Sequence, residues 1–169
     1  MPNCETFSIL PIRALLKRYI EPGMVVIDPF ARNSKIGTIT NDLNPETSAE
    51  HHLDACEFLD LMIDQGVRAE VVLFDPPYSP RQISEAYKIV GRPVGMETTQ
   101  NSRFCREIKT RLDKLCAWGG IAICICWNTN GMNGGRLYSL EEVMTVCHGE
   151  GHNDTLVTVE RKMQSGFQF

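Results

Sequence analysis

The sequence has no apolar run that approaches the roughly 18 residues needed to cross a bilayer, which excludes an obvious membrane-spanning helix. It has no excess of basic residues either. Lysine and arginine number 17 against 21 acids, so the net charge is −4 and no global positive field draws the chain onto a polyanion. The first residues, Met1-Pro2-Asn3-Cys4-Glu5, lack the basic and apolar stretches of a secretory leader, and the expected location is the cytoplasm. A zinc-ligand spacing is missing. Cys147, His148 and His152 match no such pattern, and Cys124 and Cys126 alternate along one apolar run, so no metal is expected. The seven cysteines are scattered and read as reduced, mostly buried thiols. Repeats, low-complexity tracts and linkers are also wanting. What is present is 43% apolar and 22% charged residues in 169, the balance of one ordinary folded domain, here 1–169.

Hydrophobic periodicity divides this chain into elements. Residues 7–20 read as a short loop and an amphipathic helix, with Ile12, Leu15, Leu16 and Tyr19 on one face and Arg13, Lys17 and Arg18 on the other, stopped by Pro22-Gly23. Residues 24–28 form a continuous apolar run ending in an acid, the mark of a buried parallel strand. A polar loop, 29–37, leads to a second short strand at 38–42 that also ends in an acid. A short third strand is expected at 51–53, then a helix at 55–65 with Phe58, Leu59, Met62 and Ile63 as its apolar stripe. The fourth strand, 69–74, is ended by Pro76-Pro77. Helices follow at 82–90 and, after the loop 91–99, at 101–116. Gly119-Gly120 leads into the most apolar strand, 121–127, and 128–135 is a glycine-rich loop. Strands at 143–148 and 155–162 pair as an antiparallel hairpin across the turn 149–154. Strands alternating with helices and closing on a hairpin predict an α/β sandwich around a mostly parallel sheet.

Ligands of open α/β sheets bind at the carboxyl ends of the strands. Asp28, Asp42 and Asp75 fall at such ends, and Asp54 stands at the start of a helix just past the third strand. An acid after the second strand is placed to accept both ribose hydroxyls of a nucleoside cofactor. One after the third strand can reach an adenine amino group, and the joint spacing suits S-adenosylmethionine. Singly, each acid is also an ordinary helix N-cap or turn former.

Asp75-Pro76-Pro77-Tyr78 is the more specific signal. An exocyclic amine of a nucleobase is a poor nucleophile because its lone pair is delocalised into the ring. A rigid turn that offers one carboxylate and one backbone carbonyl accepts both amine hydrogens and turns the lone pair toward an electrophilic methyl group. Asp75 supplies the carboxylate. Pro76 lacks an amide hydrogen but keeps its carbonyl, and the paired prolines limit the ordering left to be done at reaction. Tyr78 offers a ring on which an unstacked base can lie.

With these residues the sequence resembles the class I S-adenosylmethionine-dependent methyltransferases. Within them it is similar to the small adenine-specific DNA methyltransferases of phages and mobile elements, which carry the same Asp-Pro-Pro-Tyr turn. The matching pieces are Asp28-Pro29-Phe30-Ala31, Asn41-Asp42-Leu43-Asn44-Pro45, Leu53-Asp54-Ala55, the run from Asp75 to Gln82, Trp127-Asn128, and His152-Asn153-Asp154-Thr155. The resemblance implies a Rossmann-like, seven-stranded sheet with a reversed last strand, and S-adenosyl-L-methionine as cofactor. It implies N6 methylation of a flipped-out adenine in DNA, in a bacterial host cell if phage-encoded. By position it makes Asp28, Pro29, Phe30 and Ala31 the first cofactor loop, and Asp42 with Leu43 the ribose site. Asp54 and Ala55 lie by the cofactor adenine, and Phe7 and Ser8 near the methionine moiety, with Asp75 facing both cofactor and target. The usual first loop is Phe-x-Gly-x-Gly, whereas here it reads Phe30-Ala31-Arg32-Asn33-Ser34. Side chains there narrow the cofactor pocket, and Asn33 is the residue suited to left-handed backbone.

The resemblance leaves no chain for a separate target-recognition domain. Recognition then falls to loops such as 79–102, to a second subunit in a homodimer, or is loose. Ser79, Arg81, Lys88, Arg92, Arg103 and Arg106 read either as a local phosphate-contacting patch or as a solvated helix face. Residues 96–100 offer side chains for base edges or form a plain surface loop. Trp127 and Asn128 either wall the base pocket or, for Trp127, fill the core. Three functions stay open: DNA adenine N6 methylation, amine methylation of RNA or of cytosine N4, and a nucleic-acid-binding homologue that has lost catalysis.

Overall fold

The apolar runs converge on a single sheet. The computed structural model describes residues 6–93, 101–132, 137–149 and 153–163. A 3₁₀ turn, Thr6–Ser8, precedes α1 (Leu10–Tyr19), β1 (Val26–Asp28), β2 (Ile39–Thr40) and α2 (Ala55–Asp64). Then come β3 (Ala69–Phe74), α3 (Pro80–Ile89), α4 (Asn101–Leu115), β4 (Cys116–Cys126), β5 (Tyr138–Val146) and β6 (Thr155–Lys162). Among the described residues the sheet has six strands in the order β2-β1-β3-β4-β6-β5. Its first four strands run parallel, and β6 inserts antiparallel between β4 and β5.

Strand alternation decides the layers. Val71 and Leu73 point to the face covered by α1, where Ile12, Leu15 and Leu16 lie buried. Val72 and Phe74 point to the face covered by α2 and α4, against Phe58, Leu59, Ile108 and Leu112. Each such side chain, once buried, contributes about 1.5–3 kcal/mol. Helix α2 starts with a full capping box: Asp54 accepts the Cys56 N–H at 2.8 Å, and Glu57 reaches back to the Asp54 N–H.

Three expectations are corrected. The third strand at 51–53 is reduced to one parallel bridge between Asn41 and His51, so six strands are described rather than seven. Side-chain hydrogen bonds from Asn41 take over the role of a ladder there. Gly119-Gly120 is no lead-in loop: β4 begins directly after α4 and passes through both glycines, with a register shift against β3. A Cβ at Gly120 would come within 3.0 Å of the Glu70 carbonyl, so glycine lets the strands stay paired. Finally, β5 starts at Tyr138 rather than 143, because its edge position leaves most of its side chains partly or fully exposed and hides its apolar period.

Candidate active site

The chain runs outward from β1 to β2 and returns to the other side of β1 as β3. The crevice at this switch point lies between the carboxyl ends of β1 and β3, which carry Asp28 and Asp75. Asp28 has no exposed surface. Its Oδ1 accepts the Phe30 N–H at 3.1 Å, and its Oδ2 has no partner among the described residues. Burial, with smaller contributions from the Asp75 and Asp42 carboxylates, pushes its carboxyl up to about 7 against the pull of the Phe30 N–H. A buried acceptor left unpaired costs on the order of 1–3 kcal/mol. A ligand bearing a cation or an N–H donor would relieve it.

The loop after β1 solves its geometry without the usual glycines. Residues 31–34 make a tight turn, closed by the Ser34 N–H to the Ala31 carbonyl at 2.8 Å. Arg32 holds its first central position with φ 51°, the one positive φ outside glycine among the described residues. Glycine is usual at such a position, and a side chain there costs about 1 kcal/mol. The left-handed residue was expected to be Asn33. Instead Asn33 turns its Oδ1 to the Ser48 N–H at 3.0 Å, while the Asp42 carboxylate accepts the Arg32 N–H at 3.2 Å and holds that peptide in place. The close approach that demands glycine falls at Gly37, where a Cβ would sit 2.8 Å from Asp28 Cβ.

Asn41 organises the crevice, a role sequence reasoning did not assign. It is buried. Its Nδ2 donates to the carbonyls of Pro29 at 3.2 Å and Leu53 at 3.1 Å, and its Oδ1 accepts the Leu53 N–H at 3.0 Å. One amide thus ties three strand-end segments, and the Ala31 N–H adds a bond to the Asn41 carbonyl at 2.9 Å. Half-buried Asp42 accepts the N–H groups of Asn44 and Arg32, and Leu43 lies half-buried beside it. Phe30 packs edge-on against Phe74 on the α4 side. Asp54 is first of all a helix cap, and its second oxygen accepts the Tyr87 hydroxyl, with Ala55 buried behind it. Phe7 is buried in the α1-side core and Ser8 is exposed. The neighbouring Thr6, which sequence reasoning missed, hydrogen-bonds Asp75 through its side chain.

Around Asp75 the geometry is compact. The Tyr78 hydroxyl donates to Asp75 Oδ1. Burial raises the Asp75 pKa, while the Tyr78 and Thr6 hydrogen bonds and the Arg32 charge draw it back. Burial likewise pushes the Tyr78 phenol upward, with the Asp75 charge adding to it, so the hydroxyl stays a donor. The Tyr78 N–H binds Gln82 Oε1 at 2.7 Å, and Ser79 caps α3 through the Gln82 N–H. The Pro76 carbonyl accepts no hydrogen bond from the described residues. Tyr78 stacks on Trp127, with centroids 5.3 Å apart and planes 22° from parallel. A small cavity of about 80 Å³ opens here, lined by Pro76, Pro77, Tyr78, Cys105, Cys126, Trp127 and Asn128. Trp127 is 44% exposed, so it is a wall and not core. The loop that follows it is anchored from behind. Buried Lys109 donates to the Gly131 carbonyl and lies over the Phe74 ring, and the Glu160 carboxylate accepts the Met132 N–H.

The expected basic patch is partly neutralised. Arg81 pairs with Glu85, Arg92 with Glu57 and Arg103 with Glu107. Lys88 lies near the end of α3 and Arg106 in the middle of α4. Residues 96–100 and His152 lie outside the described residues. No group of three His, Cys, Asp or Glu side chains forms a metal site among the described residues, and none of the described helices is long and apolar enough to cross a membrane.

The sheet order and the reversed strand are those of the S-adenosylmethionine-dependent methyltransferase fold. SMU.776, an inferred methyltransferase complexed with SAH, matches with a TM-score of 0.64 at 10% identity, over 92% of this chain and 49% of that one. NSun6 from Pyrococcus horikoshii, solved with SFG, matches with 0.57 at 16%, over 89% and 51%. HI0767 from Haemophilus influenzae, an inferred methylase, matches with 0.55 at 10%, over 95% and 98%. The chain therefore spans about half the length of the first two and nearly all of the third. No protein-family model and no curated protein matches the sequence.

Proposed function

We propose that this chain is a methyltransferase domain that uses S-adenosyl-L-methionine to methylate an exocyclic amine of a nucleobase. The observation that carries the reading is the turn after β3, where the Asp75 carboxylate and the Pro76 carbonyl, without a donor among the described residues, sit beside an aromatic pair and a cavity. The residues present fit the cofactor. Asp28 offers a buried, unpaired oxygen to a cationic group, Asp42 accepts ribose hydroxyls, and the loop from Pro29 to Ala31 lines the crevice between them. When bound, the cofactor supplies a methyl group made electrophilic by its sulfonium.

The chain's own residues act on the amine. Asp75 and the Pro76 carbonyl accept its two hydrogens and aim its lone pair. The bound cofactor would supply the methyl group and keep the displaced electron pair on its sulfur, and Asp75 would take the one proton that the nitrogen releases. Tyr78 and Thr6 hold the carboxylate in one orientation, which preserves the near-attack geometry. The base lies against Tyr78 and Trp127.

Adenine N6 in DNA is the finer reading that the sequence resemblance supports. A second reading, RNA, is favoured by the surface. The chain is acidic, and Arg81, Arg92 and Arg103 are each paired with an acid, which leaves little for gripping a duplex. An unpaired base costs least to bring into such a site. Incubation with methyl-labelled cofactor and duplex DNA, single-stranded DNA or RNA, followed by nucleoside analysis, tests both. The expected result is transfer to one polymer class, lost by about 10³-fold or more in Asp75→Ala with SAH affinity changed by less than about threefold. Full transfer by Asp75→Ala would overturn the mechanism.

A further inference from the structure

Asn128 lines the cavity beside the Asp75–Tyr78 turn, and its side chain is fixed in one sense. Its Oδ1 accepts the Asn130 N–H at 3.1 Å. A backbone N–H can bond only to the oxygen of an amide, so the orientation of this one is settled. The Nδ2 end is left over, and it donates to no described residue. The other groups on the wall are engaged or of the wrong kind. The Tyr78 hydroxyl is spent on Asp75, and the Trp127 N–H lies in the plane of a ring stacked on Tyr78 and half open to solvent. Burial raises the Cys105 and Cys126 thiols, so they stay protonated and donate weakly. The carbonyls of Pro76 and Pro77 only accept. Asn128 thus brings the one side-chain amide donor to this wall.

The size of the cavity says which part of a base it meets. At about 80 Å³ it is well below the roughly 150 Å³ of a cavity that takes benzene, so it admits one edge of a base and not the whole ring. Asp75 and the Pro76 carbonyl are acceptors, matched to the two hydrogens of an amine. A donor on the same wall is matched to an acceptor beside that amine. Adenine offers such an acceptor in its ring nitrogen N1, and cytosine in N3. On the pairing edge of guanine the nitrogen beside the amine carries a hydrogen, so donor would face donor and both would be left unpaired.

We propose that Asn128 sets which base is accepted: its Nδ2 donates to the unprotonated ring nitrogen beside the target amine, N1 of adenine or N3 of cytosine. The assignment rests on the amine-transfer reading above. It is tested with the whole chain, methyl-labelled cofactor and single-stranded oligonucleotides of random sequence, as DNA and as RNA. One set carries the natural bases. In the others 1-deazaadenosine replaces adenosine, or 3-deazacytidine replaces cytidine. Each analogue keeps the amine and changes only the flanking nitrogen to C–H. For the base that takes the methyl group, the wild-type chain should use the analogue about 10-fold less well in kcat/KM. Asn128→Ala should lose about as much on the natural base and no more than about twofold on the analogue, so the discrimination disappears. Asn128→Asp keeps an oxygen for the Asn130 N–H, and with it the turn, but has no donor, and it should not restore the natural base. Full transfer by Asn128→Asp, an unchanged Asn128→Ala, equal losses in Asn128→Ala on both substrates, or transfer to guanine alone would overturn the assignment while sparing amine transfer. A wild-type chain that methylates none of the pools would overturn the amine-transfer reading and the assignment with it.

Discussion

The two halves of the sheet are built differently. On one side, β1 and β2 have three and two residues, and their ends are held by side chains: Asn41, Asp42 and Thr38 carry bonds that longer strands would give to backbone. On the other side, β4, β5 and β6 have eleven, nine and eight residues in long ladders. The short half holds the unpaired Asp28 oxygen and the strained Arg32, whereas the long half holds Glu160 and Lys162, both buried and partnered, and one neutral buried group without a partner among the described residues, the Thr158 hydroxyl. The difference teaches where unsatisfied chemistry is tolerated. The charged group left without a partner lies where a ligand can complete it, and the long ladder supplies the stability that permits it.

Substitutions can sharpen or break this contrast. The largest effect is expected in the long half. Lys109→Met strips the buried Gly131 carbonyl of its charged donor and should cost about 3 kcal/mol in urea unfolding. It should also change Trp127 fluorescence, since the anchored loop carries that ring. A loss below about 1 kcal/mol would show that Lys109 is not the anchor. In the short half, Asn41→Ala removes three hydrogen bonds from one buried amide and should cost about 2–3 kcal/mol. SAH affinity should fall with it, because the Pro29 and Leu53 segments lose their common tie. Equal affinity in Asn41→Ala would separate the tie from the cofactor site.

The effect that is smallest per step of its test is a pH dependence. A carboxyl whose folded pKa lies above its unfolded value binds more protons in the folded state between the two. Its stabilising contribution is therefore complete below the unfolded pKa and lost as pH rises through the folded one. Asp28, raised from 3.8 to about 7, should make stability fall by up to about 1.4 kcal/mol per pH unit between those values. The raised Asp75 acts in the same direction. Asp28→Asn should flatten this slope in unfolding measured at pH 5, 6 and 7. An unchanged slope would mean that Asp28 is ionised throughout, despite its burial.

Much of this architecture was legible before any coordinates. The first three parallel strands are short and each runs into an acid, a local pattern, so Asp28, Asp42 and Asp75 could be placed at strand ends by inspection. The Asp75–Tyr78 turn was readable for the same reason: two prolines fix the backbone whatever surrounds them. The third strand and the start of β5 were not, because one is replaced by Asn41's side chain and the other is an exposed edge. Asn41 acquires its role through partners 12 residues away and Thr6 through one much further along the chain, and no spacing announces that.

By itself, the sequence determined the order of strands and helices, the acids at the strand ends and the rigidity of the Asp-Pro-Pro-Tyr turn. These follow from propensity, periodicity and the missing amide hydrogen of proline, all of which act within a few residues. Only the tertiary structure decided that Arg32 rather than Asn33 takes the left-handed position, and that Asp28 is buried with one oxygen unpaired. It also decided that Tyr78 and Trp127 share one wall of the cavity. Those outcomes depend on desolvation and on hydrogen bonds between distant segments, which exist only once the chain has packed.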